Sequence, residues 1–430
     1  METALLYELY TRYPNVQTDT RKITPGALFF ALKGPNFNGN DFVQQALELG
    51  AAYAIADEER ACNGNERCIL VPDVLLALQD LALYHRRQFD IPFVAITGSN
   101  GKTTSKELVT AVLRQQYITY ATQGNLNNHI GVPLTLLGIR KDAEIAVIEM
   151  GANHLGEIAS YCRMALPTHG IITNCGKAHL EGFGSLEGVR KGKGELYDHI
   201  RSTGGMIFRN ADLDYLEEMA TGIAQQVTYG SAATADYSGS LPEERELLLQ
   251  VAVRTEGYKT TLQTQLVGDY NFANVMLALA TGAHFGLSLQ QIRAAIESYA
   301  PDNSRSQLLQ KGSNQVILDA YNANPTSMRA AISNFAANEG PKLLWLGAMK
   351  EMGPEEEHEH RELVAWLQQW RWEQVILVGK EFQGLAGDYL WFPDAASAAG
   401  FVRDQQPEQA QILIKGSRGS KMETLLAALA

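Results

Sequence analysis

Phe93-Val94-Ala95-Ile96-Thr97-Gly98-Ser99-Asn100-Gly101-Lys102-Thr103-Thr104-Ser105-Lys106-Glu107-Leu108 holds the decisive pattern of this chain. Five apolar or β-branched residues form a buried strand. A short turn rich in Gly and Asn follows, and a helix begins at once. Glycines let the backbone fold around phosphate with its N–H groups inward, and the helix N-terminus adds partial positive charge. Lys102 then reaches the outer phosphates, and the Thr103 or Thr104 hydroxyl can meet Mg²⁺. The spacing departs from the common G-x-x-x-x-G-K-[ST] loop, because Ile96 stands six residues before Lys102 where that loop has glycine. The loop is tighter by about two residues than that pattern. A plain strand-to-helix turn would also favour Gly and Asn. Lys directly before two Thr argues for phosphate.

Outward from this stretch the same alternation continues. AEIAVIEM (143–150) and GIITN (170–174) read as further strands, and TTSKELVTAVLRQQ (103–116) as a helix. Short apolar strands alternating with helices predict a parallel sheet covered on both faces. Beyond Met206, ELLLQVAVRTEGYKTTLQTQLVG (246–268) alternates as antiparallel hairpins do, and NFANVMLALATGAHFG (271–286) is helical. Upstream, the apolar runs ALFFAL, AAYAIA and CILVP accompany the helices DFVQQALELGA and VLLALQDLALYHRRQF, which end at the Ile91-Pro92 step. Downstream of the polar PDNSRSQ stretch, QVILDAY, KLLWLGA, QVILVG and AQILIKG restore strand–helix alternation. The expectation is an α/β protein of three domains. These are residues 1–90, residues 91–300 with a parallel sheet plus a small antiparallel part, and residues 301–430, doubly wound and Rossmann-like.

A chain of 430 residues is too long for one ordinary core, and 45% hydrophobic with 20% charged residues is globular composition. The net charge of −12 argues against a nucleic-acid partner or an anionic membrane surface, though not against a locally bound phosphate. METALLYELYTRYP lacks an export signal's basic-then-apolar order, and no apolar run is long enough for stable membrane insertion. Cys62, Cys68, Cys162 and Cys175 contain no C-x-x-C pair, so reduced thiols and a cytoplasmic location are expected.

Ligands of open α/β sheets sit beyond the carboxyl ends of the strands. Glu149 ends its strand and is expected to face the phosphate loop, where Mg²⁺ needs hard oxygen ligands. Alone, such an acid is more often a solvated loop residue. After GIITN comes Gly176-Lys177-Ala178-His179-Leu180-Glu181-Gly182, placing His179 at the same sheet edge with a metal, phosphate or purely structural role open. In Val189-Arg190-Lys191-Gly192-Lys193-Gly194-Glu195, three cations could be a solvated face or could include one functional lysine.

Together these segments resemble the Mur ligase superfamily along nearly the whole chain. Its tight T-G-[ST]-x-G-K-T-[ST] loop matches Gly98, Ser99, Asn100, Gly101, Lys102, Thr103 and Thr104. EMG and AHLEGFGS resemble its two magnesium-ligand sites, here Glu149 and His179, and Lys193 falls where many members carry a carbamylated lysine. The resemblance thus implies Lys102, Glu149, His179 and Lys193 as catalytic, with Thr103, Glu149, His179 and Lys193 around the metal. It further implies nucleotide contacts at Asn274, Arg305, Asp319 and Tyr321. Thr18-Asp19-Thr20-Arg21 with PGALFFALKGPNFNGNDFV resembles the family's uridine-nucleotide domain. Asn125, Asn127, Asn128, Asn322, Asn324, Lys415, Ser417 and Arg418 lie in segments resembling its substrate-facing loops.

The best-matching branch couples D-alanyl-D-alanine to a UDP-N-acetylmuramoyl-tripeptide with ATP and Mg²⁺, as a monomer, through an acyl phosphate. The alternatives are another muramyl or folylpolyglutamate-type ligase, or a non-catalytic nucleotide switch. Independently of the family, Asn324-Pro325 reads as a helix start, Asp319 as a strand-end acceptor for ribose, and Lys415 and Arg418 as an anion clamp. Where that branch usually has G-D-M-x-E-L-G, this chain has Gly347-Ala348-Met349-Lys350-Glu351-Met352-Gly353, without the acid at position 348. The run PEEEHEHRE beyond it, with His358 and His360, reads as a solvated helix start.

Overall fold

The Phe93–Thr97 strand is buried at every position, as is Ile145–Glu149, which fits strands covered on both faces. The structure, a computed structural model, describes residues 2–244, 246–255 and 258–430. Nine strands form the largest sheet, in the order Tyr258–Val267, Leu248–Thr255, Tyr237–Ser240, Gln225–Gly230, Met206–Asn210, His169–Ile172, Phe93–Thr97, Ile145–Glu149 and Thr119–Ala121. The expected antiparallel part is present, but it begins later than the change of texture at Met206 suggests. Met206–Asn210 still pairs parallel with Gln225–Gly230, and antiparallel pairing starts where Tyr237–Ser240 meets Leu248–Thr255. Leu248–Thr255 in turn pairs antiparallel with Tyr258–Val267; Glu256 and Gly257 lie outside the described residues.

Two further sheets flank this one in sequence. Val16–Gln17, Leu28–Phe30, Tyr53–Ala56 and Cys68–Leu70 pair in parallel over a core of Phe29, Val43, Ala46, Leu47 and Ala54. In the C-terminal region, Gln307–Lys311 runs antiparallel to Asn314–Asp319. Gln411–Lys415, Lys342–Gly347, Gln374–Val378 and Leu390–Phe392 then continue the sheet in parallel. Trp345 is fully buried here, and its indole N–H is satisfied by Gln374 Oε1 at 3.2 Å. By internal contacts the chain divides into two compact units. One comprises Met1–Ala95, Tyr117–Gly151 and Gly156–Gly170; the other comprises Ile96–Gln116, Ala152–Leu155 and Ile171–Ala430. No helix among the described residues is long and apolar enough to cross a membrane.

The cysteine expectation needs correction. Cys62 and Cys68 form a disulfide, while Cys162 and Cys175 are buried free thiols. The helix Glu59–Cys62 stops at Asn63 in the left-handed conformation, and the strand Cys68–Leu70 starts after a short turn. That turn brings the two Cα atoms to 5.1 Å, inside the range a disulfide spans. A search for C-x-x-C pairs overlooks this wider spacing.

Candidate active site

The phosphate-type loop is shaped by what its glycines permit. Gly98 has φ 144°, and a Cβ there would lie 2.0 Å from Thr173 Oγ1. That hydroxyl donates to Asn100 O at 2.6 Å, while Asn174 O and Oδ1 accept the N–H groups of Ser99 (2.8 Å) and Asn100 (3.0 Å). Ser99 Oγ is tied to Gly176 in both directions, each at 3.0 Å. Gly101, φ 79°, starts the helix Lys102–Leu113, and a Cβ on it would meet Asn274 Oδ1 at 2.7 Å. Asn274 thus buttresses the loop; it also accepts from Ser105 Oγ at 2.9 Å. Lys102 curls over the loop, its ammonium donating to Gly98 O (2.6 Å) and Ser99 O (3.1 Å), and Thr103 is buried behind it. Ile96, which replaces the outer glycine of the commoner motif, is fully buried in the strand.

Glu149 is 1% exposed. Its Oε1 accepts from Asn127 Nδ2 at 2.8 Å, and its N–H donates to Thr122 Oγ1 at 2.9 Å. Asn128 Oδ1 accepts from the N–H groups of Ile130 (3.1 Å) and Gly131 (2.8 Å) at the start of the helix Gly131–Leu137; Asn125 and Asn128 are both exposed.

In the other unit, His179 sits at φ 53° with Nδ1 against the Glu351 carboxylate, whose pKa this hydrogen bond holds below the ordinary range. Lys177 Nζ donates to the buried Glu359 at 2.6 Å. Of the three clustered cations, Lys191 is exposed and Arg190 lies 4.7 Å over the Tyr215 ring. Lys193 is 1% exposed, with Nζ donating to Ala152 O at 2.9 Å and 5.0 Å from the Phe183 ring centre. The glycines before and within this cluster are there for packing. A Cβ on Gly188 or Gly192 would come within 2.0 Å of Phe183 O or 2.5 Å of its ring. Among the described residues no three His, Cys, Asp or Glu side chains converge as a self-sufficient metal cage.

The carboxyl ends of the C-terminal strands carry the next group. Tyr321 lies between two guanidinium groups, Arg305 at 3.8 Å and Arg418 at 5.1 Å from its ring centre. Arg305 Nε is buried without a hydrogen-bond partner among the described residues. Lys415, expected to clamp an anion, is 1% exposed and ion-paired with Asp319, which had been expected to accept from ribose. Asn324 caps the helix Pro325–Ala336 as the sequence implied, and its Nδ2 donates to Asn100 Oδ1 at 2.8 Å. Asn322 Oδ1 is used locally by Ala323 N–H. Ser417 is buried and accepts from Lys350 N–H at 3.1 Å. Ala348 is 1% exposed and close-packed with Gly379, whose added Cβ would lie 2.8 Å from the Ala348 Cβ. The PEEEHEHRE run is not a solvated helix start throughout, because Glu359 and His360 are both buried.

Sequence reasoning missed a cavity of about 430 Å³ at this edge, lined by Lys350, Lys380, Glu381, Asp394, Lys421 and Thr424. Burial alone would raise the Glu381 pKa, but the Lys350 ammonium overrides it and holds the carboxyl low. The available signal was Gly379-Lys380-Glu381 directly after a strand, where α/β ligands bind. At the N-terminal end, Asp19 pairs with the exposed Arg21. The Arg21 hydrogen bonds lower the Asp19 carboxyl to about 2. Thr18 and Thr20 flank it, half-buried. Asp57 and Glu58, also missed, bind Lys33 at 2.9 and 3.1 Å.

Known proteins share this fold. The chain matches the Mur ligase family, catalytic domain over residues 12–86, the Mur ligase middle domain over 96–282, and the Mur ligase, glutamate ligase domain over 304–418. It is 35% identical over 424 residues to the UDP-N-acetylmuramoyl-tripeptide–D-alanyl-D-alanine ligase of Bacillus subtilis, covering 96% of this chain and 92% of that one. The crystal structure of MurF from Acinetobacter baumannii superposes with a TM-score of 0.86 at 32% identity, over 96% of this chain and 93% of that one. MurF ligase from Thermotoga maritima in complex with ADP gives 0.87 at 26% identity, over 98% and 97%. With the three-domain α/β fold and these near full-length relatives accounted for, the chain belongs to the Mur ligase family of ATP-dependent ligases.

Proposed function

We propose that the chain joins D-alanyl-D-alanine to UDP-N-acetylmuramoyl-tripeptide in peptidoglycan precursor synthesis, consuming ATP in the cytoplasm. Residues 1–90 hold the uridine nucleotide, 91–300 the ATP, and 301–430 the dipeptide. The observation that carries this reading is the Gly98–Thr104 loop, held open-backed by Thr173, Asn174 and Asn274 ahead of a helix N-terminus. The helix N-terminus that begins at Lys102 suits a triphosphate.

An amide does not form from a free carboxylate in water without a leaving group. The terminal carboxylate of the tripeptide attacks the γ-phosphorus of ATP, and ADP departs, leaving an acyl phosphate. The dipeptide amine then adds to the acyl carbon, inorganic phosphate leaves, and the amine proton passes to solvent or a nearby base. The chain's residues position and neutralise. Lys102 swings from its own loop carbonyls to the migrating phosphoryl oxygens. Asn127 orients Glu149. Arg305 and Arg418, flanking Tyr321, face the nucleotide, and the cavity between Lys350, Lys380 and Lys421 takes the dipeptide carboxylate.

The donor set fits Mg²⁺ bound chiefly through phosphate and water, which needs only one or two protein oxygens. Thr103, Glu149, His179 and Lys193 are the residues that would hold it, and Glu149 offers a buried carboxylate. When bound, Mg²⁺ would neutralise charge on the phosphates. Lys193, deeply buried on a carbonyl, is the candidate for carbamylation, in which its neutral amine adds to CO₂ and loses a proton.

Phosphate release measured with UDP-muramoyl-tripeptide, D-Ala-D-Ala and ATP, each omitted in turn, tests the assignment. Full release requires all three and is abolished by Lys102→Ala. Release with glutamate and a folate in place of both substrates would replace this reading.

A further inference from the structure

The linker between the second and third regions is held from an unexpected place. Glu107 lies on the helix that begins at Lys102, yet its carboxylate points at residues 299–303. Tyr299 OH donates to Glu107 Oε2 at 2.5 Å, and Asn303 Nδ2 donates to both carboxylate oxygens at 2.9 and 3.0 Å. Burial, then the Glu107 charge, push the Tyr299 phenol far up, so it stays a donor at any working pH. Lys106 Nζ stands 3.7 Å from the same carboxylate.

What this grip fixes is the setting of one arginine. Ser304 and Ser306, on either side of Arg305, have φ 57° and 50°, a conformation L-residues keep only when their surroundings hold it. Ser304 O accepts Ala320 N–H at 3.0 Å and Ser306 Oγ bonds Tyr270 OH at 2.8 Å, so the two serines are tied on opposite sides. Arg305 between them stands over Tyr321, its Cζ 3.8 Å from the ring centre, with its Nε buried and unpartnered among the described residues. A guanidinium desolvated in this way gains most from an anion.

We propose that Glu107 is a positioning residue for nucleotide binding: by clamping Tyr299 and Asn303 it sets residues 304–306 so that Arg305 is presented to the nucleotide phosphates. This rests on the nucleotide role of Arg305 proposed above. It also ties the helix that starts at the phosphate loop to the linker on which the third region is hung. Nucleotide bound at one end of the helix and the linker held by Glu107 then share one rigid element.

A double-mutant cycle separates the two ideas. Wild type, Glu107→Ala, Arg305→Ala and the double variant are compared by KM for ATP, KM for D-Ala-D-Ala and calorimetric affinity for ADP. Glu107→Ala should raise the ATP KM and the ADP Kd by about tenfold, the loss expected when one charge-assisted contact is misplaced. The dipeptide KM should hold, and the double variant should be no worse than Arg305→Ala alone. Glu107→Gln, which keeps an acceptor oxygen, should recover part of the loss, and Tyr299→Phe should show a smaller loss with the same coupling. A Glu107 effect that persists in full without Arg305, or that falls equally on both substrates, overturns the positioning role. Arg305→Ala with an unchanged ATP KM removes the Arg305 reading and this proposal with it. A silent Glu107→Ala beside a damaging Arg305→Ala removes this proposal alone.

Discussion

Gly98→Ala introduces a methyl group where only 2.0 Å separates the Cβ position from Thr173 Oγ1, and it does so at φ 144°. The loop must move away from the hydroxyl that holds Asn100 O, so the helix N-terminus that follows it loses its aim. Two misdirected charge-assisted hydrogen bonds weaken ADP binding by about 100-fold, measurable by calorimetry; an affinity within a few-fold of wild type refutes this account of the loop. Lys415 and Asp319 offer a different test, because their ion pair is buried. Lys415→Ala strands the carboxylate and should cost about 3–5 kcal/mol, seen as a lowered Tm. Lys415→Met with Asp319→Leu should return most of that stability without returning ADP affinity. Recovery of both would make the pair purely structural. At this scale the sequence disclosed residues whose type is unusual for their place, such as Lys102 before two threonines. It could not separate Lys193 from Arg190 and Lys191, since that choice depends on how Gly188 and Gly192 let Phe183 approach.

Elements whose pattern is local were legible. The Phe93–Thr97 strand and the Asn324-capped helix lie where periodicity and capping put them. Pairing direction was less so. Polar alternation signals a half-exposed strand, but parallel Met206–Asn210 and antiparallel Leu248–Thr255 differ in partner, which no local pattern encodes. The helix Glu356–Leu367 shows the same limit. Its acidic first turn looks solvated, while His360 within it is fully buried.

The hydrogen-bond partners of His360 define its state. Met349 N–H can only donate to Nε2 (3.0 Å) and Glu356 O can only accept from Nδ1 (2.6 Å), so the ring is neutral. Burial lowers its pKa, outweighing the raising effects of the Glu356 carbonyl and carboxylate and of Glu381, while Lys350 adds to the lowering. The unfolded chain takes up this proton near pH 6.5 and the folded chain only at lower pH. The stabilisation is therefore complete above about pH 6.5 and declines as pH falls toward the folded value. The Tm difference between pH 7 and pH 5 should shrink in His360→Gln, with the other histidines common to both proteins. An unchanged difference would show that His360 is not the group responsible.

Over the whole molecule, what matters is whether reactive acyl phosphate meets the dipeptide amine or water. Residues 176–182 carry His179 and Lys177, which are held by Glu351 and Glu359 of the C-terminal region. Gly353, at φ 56°, packs so closely that an added Cβ would lie 3.2 Å from Glu181 Cα. Asn100 and Asn324 make a further tie, between the Gly98–Thr104 loop and a C-terminal helix cap. Glu359 is nearly fully buried, so removing its ammonium partner leaves a carboxylate that favours an arrangement with more water. Lys177 is itself half-exposed, which limits the pair's own contribution to stability. The consequence should therefore appear in coupling more than in Tm. With Lys177→Ala and Glu351→Ala combined, water gains access before the amine attacks, and ADP released per amide formed should rise from about one to two or more. Quantifying ADP and the amide product in the same reaction decides it. A ratio that stays at one while turnover falls would place these contacts in substrate binding instead of in the exclusion of water.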